Sequence, residues 1–547
     1  MLTEQNGARI AVIGMGPRGL GALEALATRL SETGLVADID IFDPVSHLGA
    51  GPNFSPDESE LCLLNIPVRE ISVAPPRFPG AGIGTFANWS GLTDDAESFP
   101  PRATLGAYFN ARFCDLKDNA KSLRLSHKPV TVLDIVKKGD EWWVVDATGH
   151  QSGPYSEVLL TQGQPETKAD DQLLRWQEHA RNCEAELMPA YPGIDLSKAA
   201  EGWAGQTVAI RGLGLSTLDV LRLLSTGVGG RFESGRYHPS GREPAVILPF
   251  SLDGHAPVPK PANAELDERF DPTQGEIAEF GAALGKAKAE APEAALATVS
   301  QALVAPVMRI LSRMGKATQT GKVQSWLEME RDVPGSQETQ SPTDALRMGI
   351  AMADGQVLPS VGFVVGQVWR KWQNTLRAGF NAAEISVDTR KALIGFDEGL
   401  KRYSYGPPVR SAKELLMLIE AQLVDLRAAD DPDILLVEDG WEIVEKDRAI
   451  TASVMIDAVM PSPALDGTAD RLIRELLSKG HIGAVADGLG AGTKDDGQLI
   501  RPDGSVQRGL SLLGRLALGS VIAVDSVHDC FGAASQRWAD GVVARLN

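Results

Sequence analysis

Hydrophobic and polar positions near the start of the chain predict a strand, a tight turn, a helix and a second strand. Ile10 to Ile13 are apolar in succession, which is typical of a short buried strand. Helical spacing follows from Leu20 to Leu30, and the next apolar run, IDIF, ends at Asp43. Between the first strand and the helix lie three glycines at GxGxxG spacing: Gly14, Gly16 and Gly19. This order of elements is the layout of a dinucleotide-binding unit.

Each glycine of this turn has its own physical role in such a unit. Gly14 allows the tight turn, Gly16 lets the backbone approach a pyrophosphate, and Gly19 lets the helix pack closely on the strand. The free N–H groups and the positive dipole end of the helix would face the phosphates. Asp43 would accept hydrogen bonds from a ribose. The candidate cofactor-binding residues also include Pro17 and Arg18, which lie between the second and third glycines.

A second strand, turn and helix pattern begins at QTVAIRGLGLSTLDVLRLL. Gly212 and Gly214 match the first two glycines of the earlier turn, but Ser216 and Thr217 stand where the third glycine is expected. Taken alone, this partial motif is equally compatible with an ordinary glycine turn. It predicts a second nucleotide-binding unit only in combination with what surrounds it.

The stretch between the two turns predicts a β-hairpin and a closing strand. VTVLDIV and EWWVVDA are β-rich runs joined by KKGD, and SEVLL then leads to Thr161 and Gly163 at the end of a strand. A glycine at this place permits close backbone approach to a ligand. ILLVEDGWEIVEKD and ITASVMIDAVM repeat the same order after the second turn. The repetition favours two nested dinucleotide-binding domains.

Two arginine-containing segments outside the turns are candidates for binding anions. Arg102 precedes a helix-like segment and could pair with a phosphate or cap the surface. Arg402 and Tyr405, in KRYSYGPP, could bind an anionic substrate, because arginine holds carboxylates bidentately. A packed surface turn is an equally good interpretation of KRYSYGPP.

Composition narrows the classes of partner. The 547 residues carry a formal net charge of −19, which argues against a broad nucleic-acid or anionic-membrane footprint. No apolar run approaches the roughly 20 residues of a membrane span, and MLTEQNGAR lacks the features of a signal peptide. The four cysteines are scattered without a CxxC pair, so we expect no metal site and a cytoplasmic protein. The sequence leaves the oligomeric state open.

Several segments together resemble a family of bacterial FAD/NAD(P)-binding proteins, large relatives of the flavin-dependent monooxygenases. They are GMGPRG with the acid Asp43, LLNIP, LLTQGQP, AIRGLGLSTLD, RYSYGPP and DSVHDCFG. The resemblance covers most of the chain and is least in the long helical region. It implies FAD on the first unit and a nicotinamide nucleotide, NADPH or NADH, on the second.

The resemblance also implies roles for particular positions. The first turn and Asp43 would hold the adenosine diphosphate part of FAD. Asn65, Gly514 and the region of Asp525 would lie near the flavin. Gly212, Gly214 and Ser216 would hold the nicotinamide nucleotide.

One position departs from the family pattern and leaves the choice of nucleotide open. Family members often carry arginine after the second strand of the second unit, where a 2′-phosphate would bind. Here the sequence is SLDGHA, and Asp253 could instead favour NADH. Nearby basic residues keep NADPH possible: Arg231, Arg236 and Arg242.

The expected fold class is α/β, with two Rossmann-like dinucleotide-binding domains and an inserted helical domain. The expected boundaries are 1–205 and 461–547 for the FAD domain, 206–262 and 426–460 for the NAD(P) domain, and 263–425 for the helical insert. The chain would thus leave the first domain, build the second around a helical excursion, and return.

The expected activity is that of an NAD(P)H-using flavin monooxygenase acting on a small molecule and molecular oxygen. The resemblance favours N-hydroxylation of a small amino acid such as aspartate through a flavin hydroperoxide. An aromatic, urate-type hydroxylase and a plain NAD(P)H-flavin oxidoreductase are the alternatives.

Overall fold

The computed structural model describes residues 8–316, 318–381, 384–446 and 448–546. The first unit follows the predicted strand, helix and strand order and then adds further helices and a meander. Its elements are β1 (Ala8–Ile13), α1 (Pro17–Thr33), β2 (Ala37–Phe42), α2 (Phe86–Ser90), α3 (Arg102–Asn119), β3 (Leu123–Lys128), β4 (Val132–Lys138), β5 (Glu141–Asp146), β6 (Gln151–Tyr155) and β7 (Glu157–Leu160).

The second unit begins after β7 and contains the second glycine turn between a strand and a helix. Its elements before the helical region are α4 (Asp171–Asn182), β8 (Glu186–Pro189), α5 (Gly193–Ala200), β9 (Thr207–Arg211), α6 (Leu215–Leu224), β10 (Arg231–Glu233), β11 (Arg236–His238) and β12 (Val246–Phe250).

The region expected to be helical from 263 to 425 is a run of helices around its own apolar core. The helices are α7 (Ala264–Glu268), α8 (Gln274–Ala287), α9 (Pro292–Ala302), α10 (Val304–Arg313), α11 (Thr320–Asp332), α12 (Pro342–Ala353), α13 (Val361–Lys371), α14 (Gln373–Phe380), α15 (Val387–Ser404) and α16 (Val409–Glu420). In the core, Phe280 stacks on Trp372 with ring centroids 4.2 Å apart. The helical character is therefore confirmed.

The chain then completes the second unit and returns to the first. These elements are β13 (Asp433–Val437), β14 (Gly440–Glu445), β15 (Arg448–Ala452), β16 (Val454–Asp457), α17 (Arg471–Ser478), β17 (Gln498–Ile500), β18 (Val506–Leu512), α18 (Val527–Cys530) and α19 (Ala533–Leu546). The predicted return to the first unit is confirmed, because β18 pairs in parallel with β7. Ser526 caps α18 through its side chain.

Each glycine turn lies at the end of a strand in a separate sheet; the second sheet is parallel, and the first is parallel except for its edge strand β17. The first sheet has the order β17-β18-β7-β1-β2-β3, and the second has the order β12-β9-β16-β8. The meander β4-β5-β6 precedes β7 in the first unit, and the meander β13-β14-β15 precedes β16 in the second. The predicted order of a meander followed by a closing strand is therefore present in both units.

The expected boundary at residue 206 is wrong. Strand β8 pairs with β16 along Val454↔Glu186 to Asp457↔Pro189, so residues expected in the first domain belong to the second sheet. The segment before β8 crosses between the units beside the returning chain, where Thr167 and Thr468 form an antiparallel bridge. The second unit therefore begins close to this crossing. The sequence conceals the change because β8 has only four residues and no glycine turn.

One helical stretch within the described residues, Pro292–Arg313, is long and apolar enough to span a membrane by composition alone. Half of it is buried, and Val299, Val307 and Ile310 are fully buried in the helical core. Packing within the protein thus accounts for its apolar character. Most of the N-terminal stretch used to predict the absence of a signal peptide, residues 1–7, lies outside the described residues.

A close backbone crossing gives a test of this fold. A Cβ at Gly406 would lie 1.6 Å from the carbonyl oxygen of Val258, whereas a Cβ at Gly395, an exposed position of α15, would meet nothing within 4 Å. We expect Gly406→Ala to destabilise the protein by about 1–3 kcal/mol through forced displacement of the backbone. Gly395→Ala should instead stabilise it by about 0.5–1 kcal/mol. Thermal and urea unfolding measure both; equal effects of the two substitutions would contradict the crossing.

Candidate functional site

The two glycine turns have the same backbone form. Gly14 and Gly212 both have positive φ, at 86° and 113°, and each donates its N–H to the last residue of the neighbouring strand. Gly16 and Gly214 are the N-caps of α1 and α6, at φ −85°, ψ −165° and φ −93°, ψ −158°. Both helices lie within the described residues and have neither a capping side chain nor an acid in the first turn. Their N–H groups are thus available to an anion.

In the first turn, glycine is required by close contacts with the protein itself. A Cβ at Gly14 would lie 2.9 Å from Thr161 O, and a Cβ at Gly19 would lie 2.8 Å from Gly14 O. The Thr161 hydroxyl donates to Gly14 O at 2.5 Å. Thr161 therefore holds the turn from the neighbouring strand, and its proposed cofactor contact stays a prediction.

Asp43 organises this turn from the other side. Its Oδ2 accepts from the N–H of Met15 at 2.6 Å, and its Oδ1 accepts from the N–H of Val45 at 3.0 Å. The carboxylate is buried, with 8% exposure. Its observed role is thus to fix the loop, and the expected ribose contact stays a prediction.

The space in front of the first turn fits a dinucleotide. The nearest protein atom to a Cβ at Gly16 is the Cα of Gly51 at 3.4 Å, and a Cβ at Gly163 would meet nothing within 4 Å. Next to Gly14, the buried Gln162 Oε1 has no hydrogen-bond partner in the described part of the chain. An open backbone, a free helix end and an unused buried acceptor together suit FAD.

In the second turn, a threonine replaces the third glycine without changing the form. Thr217 Oγ1 donates to Gly212 O at 2.8 Å, which is the carbonyl that corresponds to Gly14 O. A Cβ at Gly214 would meet nothing within 4 Å. The ambiguous half-motif is therefore a true counterpart of the first turn. The structure records no contact for Ser216 that bears on its expected role.

A cavity of about 420 Å³ opens beside Gly214, between the second unit and the helical region. Arg402 and Asp253 both line it, and Arg402 Nη2 lies 2.8 Å from Asp253 Oδ2. Arg402 Nε is buried and has no partner among the described residues. The size is within the range of small-molecule sites. The structure thus brings the expected substrate arginine and the expected nucleotide-selecting acid together in one cavity.

Tyr405, expected to act with Arg402, lies elsewhere. It is not among the residues that line this cavity, and its hydroxyl faces Gln373 Oε1 at 3.4 Å. Burial and the charge of Asp397 raise the pKa of Tyr405 to about 12. The two residues do not form the single substrate site that their sequence proximity suggested.

The carboxyl ends of the two sheets are joined by polar contacts. Arg515, directly after Gly514, donates to Gln164 Oε1 at 2.7 Å and to the Pro461 carbonyl at 3.1 Å. It also pairs with Asp525, which accepts from Lys401 Nζ at 2.9 Å. Burial opposes ionisation of Asp525, but Lys401 and Arg515 hold its pKa below the usual range. Asp525 is thus a junction between the first unit and α15.

Two arginines predicted to contact a cofactor have protein partners. Arg102 Nη2 donates to Asp219 Oδ2 at 2.6 Å, and its expected role as a phosphate ligand stays a prediction. Arg18 Nη2 donates to Asp529 Oδ2 at 2.7 Å, in a buried pair. The Arg18 side chain lies 3.6 Å from a Cβ position at Gly514, so it supports the end of β18.

Sequence reasoning missed a group of basic residues beside Asn65. Lys260, 8% exposed, donates from Nζ to Asn65 O at 2.7 Å. Burial and Arg370 lower the pKa of Lys260 to about 8. Arg377 Nε donates to Ala523 O at 3.0 Å. Burial and the charges of Arg377 and Lys260 lower the pKa of His528, whereas the hydrogen bond of His528 to the Glu70 backbone opposes this change. No local motif marks these residues, because they come from distant segments.

His528, Asp529 and Cys530 do not form a joint ligand set: His528 contacts the Glu70 carbonyl, and Asp529 pairs with Arg18. Across the described ranges, no three histidine, cysteine or acidic side chains are grouped to hold a metal ion.

Comparison with known proteins agrees with this geometry. A family model described as FAD-NAD(P)-binding matches residues 11–165, which contain the first glycine turn, Asp43 and Thr161. Residues 11–165 are thus similar to FAD/NAD(P)-binding domains. FAD and a nicotinamide nucleotide are the cofactors of this flavoprotein.

Its curated relatives match over nearly the whole chain. A nitrosuccinic acid synthase, npaA, of Aspergillus oryzae is 26% identical over 87% of this chain and 82% of its own length. An L-aspartate N-monooxygenase (nitrosuccinate-forming) of Streptomyces davaonensis is 26% identical over 88% of this chain and 86% of its own. A protein of the same description from Streptomyces cremeus is 25% identical over 86% and 83%.

Solved structures resemble this flavoprotein loosely. Lysine monooxygenase NbtG from Nocardia farcinica is 13% identical, with a TM-score of 0.45 over 97% of this chain and 99% of its own. L-lysine 6-monooxygenase from Pseudomonas syringae is 12% identical, with a TM-score of 0.47 over 98% and 99%.

The two kinds of glycine in the first turn should behave differently. Gly16→Ala should keep the fold and lose FAD, because its Cβ would enter the space kept for the pyrophosphate. Gly14→Ala should destabilise the protein even without FAD, since its Cβ would strike the backbone and its φ is positive. The measurements are the ratio of FAD to protein and the unfolding temperature of FAD-free protein. Gly16→Ala with wild-type FAD content would refute this assignment.

Proposed function

We propose that this chain is an FAD-dependent, NAD(P)H-using monooxygenase that N-hydroxylates a small amino acid, with aspartate the leading candidate. In this proposal both glycine-turn units are Rossmann-like domains, the first for FAD and the second for the nicotinamide nucleotide. The helical region is an insert in the second domain. Each oxygenation takes one NAD(P)H, one O₂ and one proton, and returns a hydroxylated amine, water and NAD(P)⁺.

The observation that carries the proposal is the pair of matching glycine turns on two sheets whose carboxyl ends are joined. Both turns leave a helix N-terminus free, and Arg515 of the first unit joins their edges by its hydrogen bond to the Pro461 carbonyl, which follows β16. A hydride donor and its acceptor must meet for reduction to occur. When bound, reduced FAD supplies the activation of oxygen. Aspartate is favoured because the relatives that match most of the chain are described as nitrosuccinate-forming.

We assign Arg402 to the nicotinamide nucleotide rather than to the substrate. It lines the cavity beside Gly214 and neutralises Asp253 there. Without Arg402, the carboxylate of Asp253 would repel the phosphates of either NADPH or NADH. The pairing also means that Asp253 alone does not decide between the two nucleotides.

We assign the substrate carboxylates to Lys260 and Arg377. Lys260 contacts Asn65, which the family resemblance places near the flavin, and one of its three N–H groups serves that contact. Arg377 contacts Ala523, two residues before Asp525. Positive charge here also lowers the pKa of the substrate ammonium. This favours the unprotonated amine, the form that can attack oxygen.

The direct test is incubation of the holoenzyme with aspartate, NAD(P)H and O₂, followed by mass spectrometry. We expect hydroxylamine, nitroso or nitro products in proportion to the nucleotide consumed. Gly214→Val is the matched control: it should keep FAD, because the space at Gly214 is open, and should slow flavin reduction. Hydrogen peroxide alone with amino acids, together with oxygen gain by urate, would replace this function with aromatic hydroxylation. Nucleotide oxidation with no oxygenated product would leave a plain flavin oxidoreductase.

Substitution of Lys260 should affect binding of the substrate and not binding of the nicotinamide nucleotide. Lys260→Met should raise the KM for aspartate about ten-fold or more, since a charge-assisted hydrogen bond contributes about 1.5–3 kcal/mol. In the wild type, the Lys260 charge is lost as pH rises through its pKa of about 8, so the KM for aspartate should rise above that pH. In Lys260→Met this increment should disappear. The measurement is KM against pH, because kcat also follows ionisation of the substrate amine.

Arg402→Ala is the reciprocal control for that experiment. It should raise the KM for NAD(P)H and leave the KM for aspartate within about two-fold, which is the scatter of neutral substitutions. The opposite pattern, with Arg402→Ala acting on aspartate and Lys260→Met on the nucleotide, would reverse both assignments.

A further inference from the structure

Asp219 is a buried carboxylate on the helix that follows the second glycine turn, and it accepts four hydrogen bonds. It lies on α6, five residues after Gly214, and is 2% exposed. Its Oδ2 accepts from Arg102 Nη2 at 2.6 Å and from the Tyr191 hydroxyl at 2.7 Å. Its Oδ1 accepts from Arg222 Nη1 at 3.0 Å and, more weakly, from the N–H of Leu63 at 3.3 Å. Each oxygen therefore has two donors.

The donors come from different parts of the molecule. Leu63 and Arg102 belong to the first unit, whereas Tyr191 and Arg222 belong to the second. Arg222 also donates to Glu414 Oε2 at 2.8 Å and to Ser411, both on α16. One side chain thus joins the first unit, the second unit and the helical region.

The cost of burying the charge of Asp219 points to a role besides stability. Burial raises the pKa of Asp219 although Arg102 and Arg222 oppose the rise, so the charged carboxylate is costly to bury. A buried ion pair often contributes little to the free energy of folding in comparison with apolar residues of similar size, but it constrains geometry. Its position between the two nucleotide-binding units makes their relative orientation the property that it controls.

The path between the two cofactor sites through Asp219 is short. Gly214 and Asp219 are separated by about 7.5 Å along the helix axis, at 1.5 Å per residue. Leu63 is two residues from Asn65, and Arg102 Nε also donates to Leu63 O at 3.2 Å. The turn assigned to the nicotinamide nucleotide is thus coupled to the segment assigned to the flavin side.

A second contact supports the same interface. Glu58, in the first unit, accepts from the N–H groups of Gly193 and Ile194 at 3.0 and 3.1 Å, at the start of α5 in the second unit. The covalent connection lies at a different place, where Thr167 and Thr468 pair in the two crossing segments. The units are therefore held at the crossing and, separately, by these polar contacts, and together these restrain rotation about the crossing.

We propose that Asp219 is a positioning residue for flavin reduction, which holds the second unit so that the nicotinamide faces the flavin. The proposal rests on the proposed function in one respect, that NAD(P)H reduces FAD. In that step a hydride passes from the nicotinamide to FAD and a proton is taken from solvent, giving NAD(P)⁺ and reduced FAD. Asp219 touches neither group and acts through α6, Leu63 and Arg102.

The test is Asp219→Asn in the FAD-loaded enzyme, reduced without oxygen in a stopped-flow instrument. The amide keeps the size of the side chain but loses its charge. Its NH₂ group would face the hydrogen-bond donors that contact the Asp219 carboxylate. We expect the limiting rate of reduction by NAD(P)H to fall at least about ten-fold, because a misplacement near 1 Å can cost about a hundred-fold. The nucleotide Kd, the FAD content and the rate of reduction by dithionite should stay near wild-type values. If Asp219 only stabilised the fold, the substitution would not slow reduction by NAD(P)H while leaving FAD content, nucleotide Kd and dithionite reduction unchanged.

Glu24→Gln is the matched control. Glu24 is a buried carboxylate paired with Arg112 Nε at 2.9 Å, entirely inside the first unit. Its substitution should lower stability as Asp219→Asn does, but leave the rate of reduction unchanged. Tyr191→Phe is the milder second variant, which removes one donor to Asp219 and should slow reduction less. It decides the question if Asp219→Asn does not fold.

A measurement without nucleotide gives an independent readout. In Asp219→Asn, hydrogen exchange should increase at residues 61–66 and at the crossing segments, and in Glu24→Gln it should not. Wild-type reduction rates in folded Asp219→Asn and Tyr191→Phe, or faster reduction, would overturn the proposal. Failure of wild-type FAD to be reduced by either NADPH or NADH would instead refute the proposed function, and the role of Asp219 in reduction with it.

Discussion

The close approach of three backbone segments at the end of β1 is the constraint on which the rest of the site depends. The N–H of Gly14 donates to Phe42 O, and the carboxylate of Asp43 accepts from Met15 N. Thr161 closes the third side by donating to Gly14 O. Because side-chain atoms are excluded there, the N-terminus of α1 is left open toward solvent and free for an anion. The same constraint recurs at Gly212, where Thr217 supplies the contact.

The charged residues near the carboxyl ends of the sheets differ in whether they pair with a carboxylate. Arg18, Arg102 and Arg515 each pair with a carboxylate, and these pairs join segments of the fold. Lys260 differs because its recorded hydrogen bond is to a carbonyl rather than to a carboxylate, and its charge is therefore less compensated. An anionic substrate gains most from such a cation, since a cation already held by a carboxylate has to be released first. This distinction supports Lys260 over Arg402 in the proposed substrate site.

Polar contacts join the units of the molecule at their junctions, beside the apolar packing that the units share. Asp219 joins the first unit to α6 and, through Arg222, to α16. Asp525 joins Arg515 to Lys401 of α15. Hydrogen bonds between charged groups are directional, so these contacts determine the relative orientation of the units more strongly than apolar packing of the same area would. Hydride transfer needs such orientation, whereas nucleotide binding to each turn does not.

Local features of the fold could be read from the sequence because their causes lie within a few residues of each other. The glycine turns, the KKGD hairpin and the helical region from 264 to 420 depend on backbone preferences and periodicity, which short segments carry. The repeated order of meander and closing strand was also visible. What the sequence could not show is which charges meet: Arg18 and Asp529 lie 511 positions apart, and Arg102 and Asp219 lie 117 apart. Only the tertiary structure places Arg402 and Tyr405 in different environments and Lys260 beside Asn65. It also places β8 in the second sheet. An ion pair depends on distance in space, and distance along the chain does not determine it.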